Sequence, residues 1–301
     1  MPEPLTTRPD AVVLGAGGTL GIWWLRGVLA GLEEAGIDAR GCEYFVGTSA
    51  GSVVAAQLAA GMSQREGRPP PALAADTPGP VAAGRLTELA GRLTAVATAP
   101  LGPAALAVRR RAAAPLGAAA LLPTPRSRPV PEALRRHVES LGVDFDGRLR
   151  IAAVDRRSGR RVVFGEPGAP PAGVADAVMA SCSIPWVFAP VRIAGREYVD
   201  GGVWSTSNAD AVPAGRGAEI ACLLPLLSPR GGGAPARALR AAAQAMAFPE
   251  LAALRARGAR VRVVAPDAEA ARAIGPNPMA GGRQREVYAA GWAQGRALAG
   301  G

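Results

Sequence analysis

Apolar and polar positions alternate in short blocks separated by glycine-rich turns. Ala11 to Leu14 is a run of four apolar residues closed by Gly15, the pattern of a strand buried on both faces. Beyond Gly15–Gly18, residues Ile22, Leu25, Val28, Leu29 and Leu32 recur at helical spacing. They predict a helix over Ile22–Ala35, ended by Gly36. Tyr44–Val46 predicts a second strand running into Gly47-Thr48-Ser49-Ala50-Gly51, and Ser52–Ala60 a second helix. Two consecutive strand–turn–helix units predict an α/β fold with a mostly parallel sheet.

Residues 64–82 are rich in proline, alanine and glycine and read as a loop or a disordered stretch. Arg85–Ala99 carries a helical stripe of Leu86, Leu89, Leu93 and Val96. Leu101–Leu122 is apolar but broken by Arg109-Arg110-Arg111 and prolines, and the span to Pro131 can form short helices of a lid or cap. Pro131–Leu141 predicts a helix with Pro131 near its first position. Leu149–Val154 and Arg161–Phe164 predict one hairpin, and Val191–Ile193 with Arg196–Val199 another. Val174–Ser181 predicts a helix, Glu219–Leu224 and Val261–Val264 strands, Leu239–Arg257 a helix that Pro249 interrupts, and Tyr288–Leu298 a terminal helix. No internal repeat is visible. The organisation expected is a tail over 1–10, one large unit over 11–224 with an insertion or cap at 64–131, and an α/β extension over 225–301 packed on the same domain.

Composition narrows the chemistry. All 34 basic residues are arginine and there is no lysine, which removes Schiff-base chemistry and any lysine-dependent phosphate loop. The net charge of +10 comes from arginines spread along the chain, so no nucleic-acid partner is expected. Cys42, Cys182 and Cys222 match no zinc or disulfide spacing and His137 is the single histidine, so neither a metal nor another cofactor is expected. The polar N-terminus lacks the layout of a signal peptide, and no uninterrupted apolar run is long enough to span a membrane. A cytoplasmic protein is expected; the Arg85–Ala99 and Leu101–Leu122 segments read either as ordinary core helices or as points of peripheral membrane contact.

Three turns of small residues carry the candidate chemistry. Gly47-Thr48-Ser49-Ala50-Gly51 fits G-x-S-x-G between a strand and a helix. The flanking Gly47 and Gly51 allow the sharp turn that would expose Ser49 at a helix N-terminus. A serine nucleophile needs a base. His137 lies on a helical pattern with no turn motif beside it. Asp200 instead ends a strand-like run and precedes Gly201 and Gly202, which let the chain turn and another segment approach. The third turn, Gly15-Ala16-Gly17-Gly18-Thr19-Leu20-Gly21, can offer backbone N–H groups to an anion, either a tetrahedral oxyanion or a cofactor pyrophosphate. Gly15, Gly17 and Asp38 partly match a dinucleotide fingerprint, but Leu20 stands where its third glycine belongs.

Taken in order, the three turns and the stretches GTLGIWWLRGVLAGLEEAGID, VGTSAGSVVAAQLAAG, LRIAAVDRRSGRRVVFG and ASCSIPWVFAPVRIAGREYVDGGV resemble the patatin-like phospholipase family over residues 11–224. The tail from Leu254 to Met279 is similar to a bacterial branch of it. The resemblance implies a three-layer α/β/α fold and hydrolysis of fatty-acyl esters of phospholipids, lysophospholipids or other lipids. It implies a dyad of Ser49 as nucleophile and Asp200 as proton acceptor, with Gly17, Gly18 and Thr19 as the oxyanion loop. Gly15, Gly21, Gly47, Gly51, Gly201 and Gly202 support these motifs. The sequence departs from the family at Leu20, where a basic residue is usual, and in Ser205–Asp210, where a proline is usual. Two alternatives stay open: a catalytically silent relative, and a nucleotide-binding protein using the Gly15–Gly21 loop.

Overall fold

The computed structural model describes residues 5–65, 127–185, 187–213, 215–228 and 234–300. Most of the 64–131 segment, including Arg85–Ala99 and Leu101–Leu122, lies outside the described residues. Eight strands form one sheet: β1 (Ala11–Leu14), β2 (Tyr44–Thr48), β3 (Leu149–Asp155), β4 (Arg161–Phe164), β5 (Val191–Ile193), β6 (Arg196–Asp200), β7 (Glu219–Leu223) and β8 (Arg260–Val264). Hydrogen-bonded neighbours run β5-β6-β3-β2-β1-β7-β8, and β4 also pairs with β3, on the edge opposite β2 and β6. The pairs β3–β2, β2–β1, β1–β7 and β7–β8 are parallel, while the two predicted hairpins and the β3–β6 pair that joins them are antiparallel.

Alternation along the strands sorts side chains onto two faces. Val12, Leu14, Phe45 and Leu223 join a core with α1 (Gly18–Glu34), α2 (Ala50–Ala59), α3 (Glu132–Glu139) and α4 (Val174–Ser181). Their neighbours Val13, Val46, Ile220 and Cys222 join a second core with Ala243, Ala247, Leu251 and Leu254 of α5 (Ala234–Ala256). Helices α6 (Ala268–Ile274) and α7 (Gln284–Ala299) return to the first face. The result is a three-layer α/β/α fold with one thick and one thin helical layer.

Helix α7 lies against α1 at backbone contact distance. A Cβ on Gly27 or Gly31 would strike the carbonyls of Tyr288 or Trp292. One on Gly291 would come within 2.7 Å of the Trp24 carbonyl. Glycines four apart on both helices form this seam, and the Trp24 indole crosses it to Gln294 at 2.9 Å.

Several boundaries differ from the sequence expectation. Helix α1 starts at Gly18, four residues before Ile22, and α2 starts at Ala50, straight after Ser49. Both glycine-rich turns are therefore helix N-termini more than loops. Pro249 does not interrupt α5: the helix continues through it. Proline removes one backbone hydrogen bond, but Ala247, Leu251 and Leu254 are packed on either side and hold both turns to the sheet. The sequence pattern does not predict helix α6, although Asp267 caps it by accepting the amides of Glu269 and Ala270.

Candidate active site

Strand β3 brings the predicted catalytic residues together. Its partners β4 and β6 both pair with Ala153 and Val154, so they lie on opposite edges. By the same reasoning β2 lies opposite β4. Strands β2 and β6 therefore share one edge of β3, end to end. Thr48, the last residue of β2, is paired with Ala152, and Asp200, the last residue of β6, with Ala153. Two chain ends separated by more than a hundred residues meet one register step apart.

Where β2 stops, the chain turns sharply. Ser49 has φ 52° and ψ −118°, a conformation that costs a non-glycine residue on the order of 1–3 kcal/mol and persists only where its surroundings over-determine it. Here they do. The Ser49 amide donates to Ser181 Oγ at 2.8 Å, and Ser181 Oγ donates to the Ala152 carbonyl at 2.7 Å. The Ser49 carbonyl accepts from Ser52 Oγ at 2.6 Å and from the Cys182 thiol. The motif glycines are needed for space. A Cβ on Gly47 would lie 2.5 Å from Ser52 Cα, and one on Gly51 would overlap the Leu14 carbonyl of β1.

Asp200 is buried, with 4% of its surface exposed, and Ser49 with 2%. Carboxylate atom Oδ1 accepts the Gly202 amide at 2.7 Å, while Oδ2 makes no well-formed hydrogen bond among the described residues. Burial pushes the carboxyl up to about 7, against the opposing pull of the Ser49 hydroxyl and the Gly202 amide.

The glycine loop lies beside this pair. The Gly15 amide donates to Leu223 and that of Ala16 to Thr206, while the Leu20 amide donates to Pro278 and that of Gly21 to Gly17. Between them, the amides of Gly17, Gly18 and Thr19 donate to no group among the described residues. Thr19 Oγ1 is buried and likewise has no partner among them. Gly18, at φ 62°, lies under Pro278 and Met279; a Cβ there would meet the Met279 sulfur at 2.7 Å. The result is three open, adjacent N–H groups at the N-terminus of a 17-residue helix.

The remaining candidates sit apart. The single histidine, His137, is buried and bonded through Nε2 to Gln57 at 2.9 Å. Asp38 precedes β2, so it lies at the far end of that strand from the glycine turns, where no dinucleotide ribose could reach it. It caps a 3₁₀ turn and pairs with Arg40 instead. Leu20 is fully buried in the core. Among the described residues no group of His, Cys, Asp and Glu is placed to hold a metal ion. Sequence reasoning misses Ser181, Asn208 and Glu250. The first two lie within the ASCSIPW run and just beyond the Asp-Gly-Gly turn, but their contacts are long-range.

A search of curated proteins returned no match. Among solved structures, VipD from Legionella pneumophila aligns with 14% identity and a TM-score of 0.48, over 97% of this chain and 66% of that one. The type III effector protein ExoU aligns with 18% identity and a TM-score of 0.40, over 98% of this chain and 53% of that one. The chain therefore spans about two thirds of the first and about half of the second. The patatin-like phospholipase family model matches residues 12–213, a segment that contains all three turns. With more than half its length matched, the chain belongs to the patatin-like phospholipase family.

Proposed function

We propose that the protein hydrolyses fatty-acyl esters of phospholipids or lysophospholipids, with Ser49 as nucleophile and Asp200 as its base. Family membership supports lipid acyl hydrolysis in general. The observation that carries the assignment to these residues is the strained Ser49 turn set one register step from a buried acid whose pKa is about 7.

The ionised Asp200 carboxylate takes the Ser49 proton as Oγ attacks the acyl carbonyl carbon. The carbonyl π electrons move onto oxygen, and the open amides of Gly17, Gly18 and Thr19 bind the resulting oxyanion. As the intermediate collapses, the proton held by Asp200 passes to the departing alcohol and the acyl group stays on Ser49. A water molecule gives its proton to Asp200 and attacks the acyl-serine. Collapse of that second intermediate frees the fatty acid, and the proton returns to Ser49. A basicity near neutral suits this double role, because the same group must accept and return a proton at the working pH.

A fluorophosphonate probe followed by peptide mapping tests the reading. Labelling at Ser49, and loss of hydrolysis in Ser49→Ala and Asp200→Ala across a panel of lipid classes, is expected. Full activity in purified Ser49→Ala would overturn it. Contact with anionic membranes belongs to the same proposal and is read by vesicle co-sedimentation. Among the described residues no helix is long and apolar enough to cross a membrane.

A further inference from the structure

Ser205–Ala209, immediately after the Asp-Gly-Gly turn, touches all three small-residue turns. The Thr206 carbonyl accepts the Ala16 amide of the glycine loop at 2.8 Å. The Ser207 carbonyl accepts from Thr48 Oγ1, next to Ser49, at 3.4 Å. Asn208 Nδ2 donates to Thr48 Oγ1 at 3.0 Å, to the Ser205 carbonyl at 2.7 Å and to the Gly201 carbonyl at 3.4 Å. Asn208 is held at φ 49°, a left-handed conformation that asparagine tolerates better than most residues.

This brace is itself held from outside the family-matched segment. Glu250, on α5, accepts the Ser207 hydroxyl and, at 2.9 Å, the Ala209 amide, both on Oε2. The residue is partly exposed, but its carboxylate is turned into the protein. Burial and the charge of Asp210 push its pKa up. Arg161 faces the same group and pairs with Asp210, and the Cys222 thiol of β7 also feels its charge. A desolvated carboxylate is a costly means of fixing a loop that has no other work.

Building on the dyad assignment above, we infer that Glu250 is a positioning residue of the reaction. Through Ser207, Ala209 and Asn208 it fixes the Thr48 side chain, and so the aim of Ser49 from the end of β2, and seats the glycine loop beside the dyad. It touches no reacting atom. Its removal lowers turnover by misplacing groups that remain chemically intact.

The test uses the full chain and counts active sites. Glu250→Ala, Glu250→Gln and Asn208→Gly are titrated with a fluorophosphonate and assayed on a soluble p-nitrophenyl ester. Asn208→Gly keeps the left-handed backbone and deletes only the bridging amide. In Glu250→Ala and Asn208→Gly, kcat per titrated site is expected to fall by about 10- to 100-fold, as for sub-ångström to ångström misplacement, with KM nearly unchanged. Glu250→Gln keeps an acceptor oxygen and is expected to restore most of the rate. A purely structural role would lower the fraction of labelled protein and leave kcat per site at the wild-type value; that result overturns the inference. If Glu250→Ala does not fold, the kcat per site of Asn208→Gly decides the question. Failure of the wild type itself to label at Ser49 would instead sink the dyad reading.

Discussion

Replacing Asp200 by asparagine should make the protein more stable, and the gain should depend on pH. The acid is enclosed and its pKa is raised from 3.8 to about 7. Between those values the native state holds a proton that the unfolded chain releases, so stability falls as pH rises and stays low above about 7. At about 1.4 kcal/mol per pKa unit, the full cost of ionising the buried acid is about 4 kcal/mol above neutral pH. At about pH 5 the native acid is still protonated and roughly 1.5 kcal/mol of that cost is felt. An asparagine side chain would keep an oxygen for the Gly202 amide and has no charge to bury. The advantage of Asp200→Asn should therefore widen by about 2.5 kcal/mol between about pH 5 and about pH 8. For a chain of this length that is about 4–5 °C in Tm. Differential scanning fluorimetry of both proteins over that range measures it. An equal gap at both ends, or a variant less stable than wild type at alkaline pH, would show that the native acid is not held near neutrality. The reasoning about its basicity would then fail with it.

Two further outcomes follow from the same geometry. If Asp200 is the base, kcat/KM on a soluble ester rises about tenfold per pH unit towards a plateau above about 7, and a flat profile through that range would exclude it. Leu20→Arg restores the basic residue usual in the family, but here the side chain, in the first turn of α1, is fully buried in the core. An unpaired charge there should cost about 3–5 kcal/mol in denaturant unfolding, and a variant as stable as wild type would show that the side chain can reach water.

What the sequence makes legible is local. The five-residue turn around Ser49 is bounded by an apolar strand and a helix within a dozen positions, so periodicity and glycine placement expose it. Asp200 shows itself through the strand before it and the glycines after it. The start of α1 is hidden because Gly18, Thr19 and Gly21 are poor helix formers, and tertiary contacts with Pro278 and Pro225 override their preference. Pro249 misleads for a related reason: packing on both sides outweighs the single bond it removes. Ser181, Asn208 and Glu250 leave no local mark. Ser181 reaches Ser49 across 132 positions and Asn208 reaches Thr48 across 160, distances at which no pattern in one chain signals a hydrogen bond.

The shared edge of β3 gives the proposed site an unusual kind of tolerance. The strand ends at Thr48, just before Ser49, and at Asp200 are set one step apart by one covalent link, the peptide between Ala152 and Ala153. Such a link cannot stretch, whatever happens to side chains around it. Substitutions in β3 that respect its packing should leave the pair in register. A single-residue insertion between Ala152 and Ala153 should separate the pair by one residue length, about 3.3 Å, and turn one partner to the other face. The spacing of the two strand ends is thus written in backbone, where evolution can change it only in whole steps.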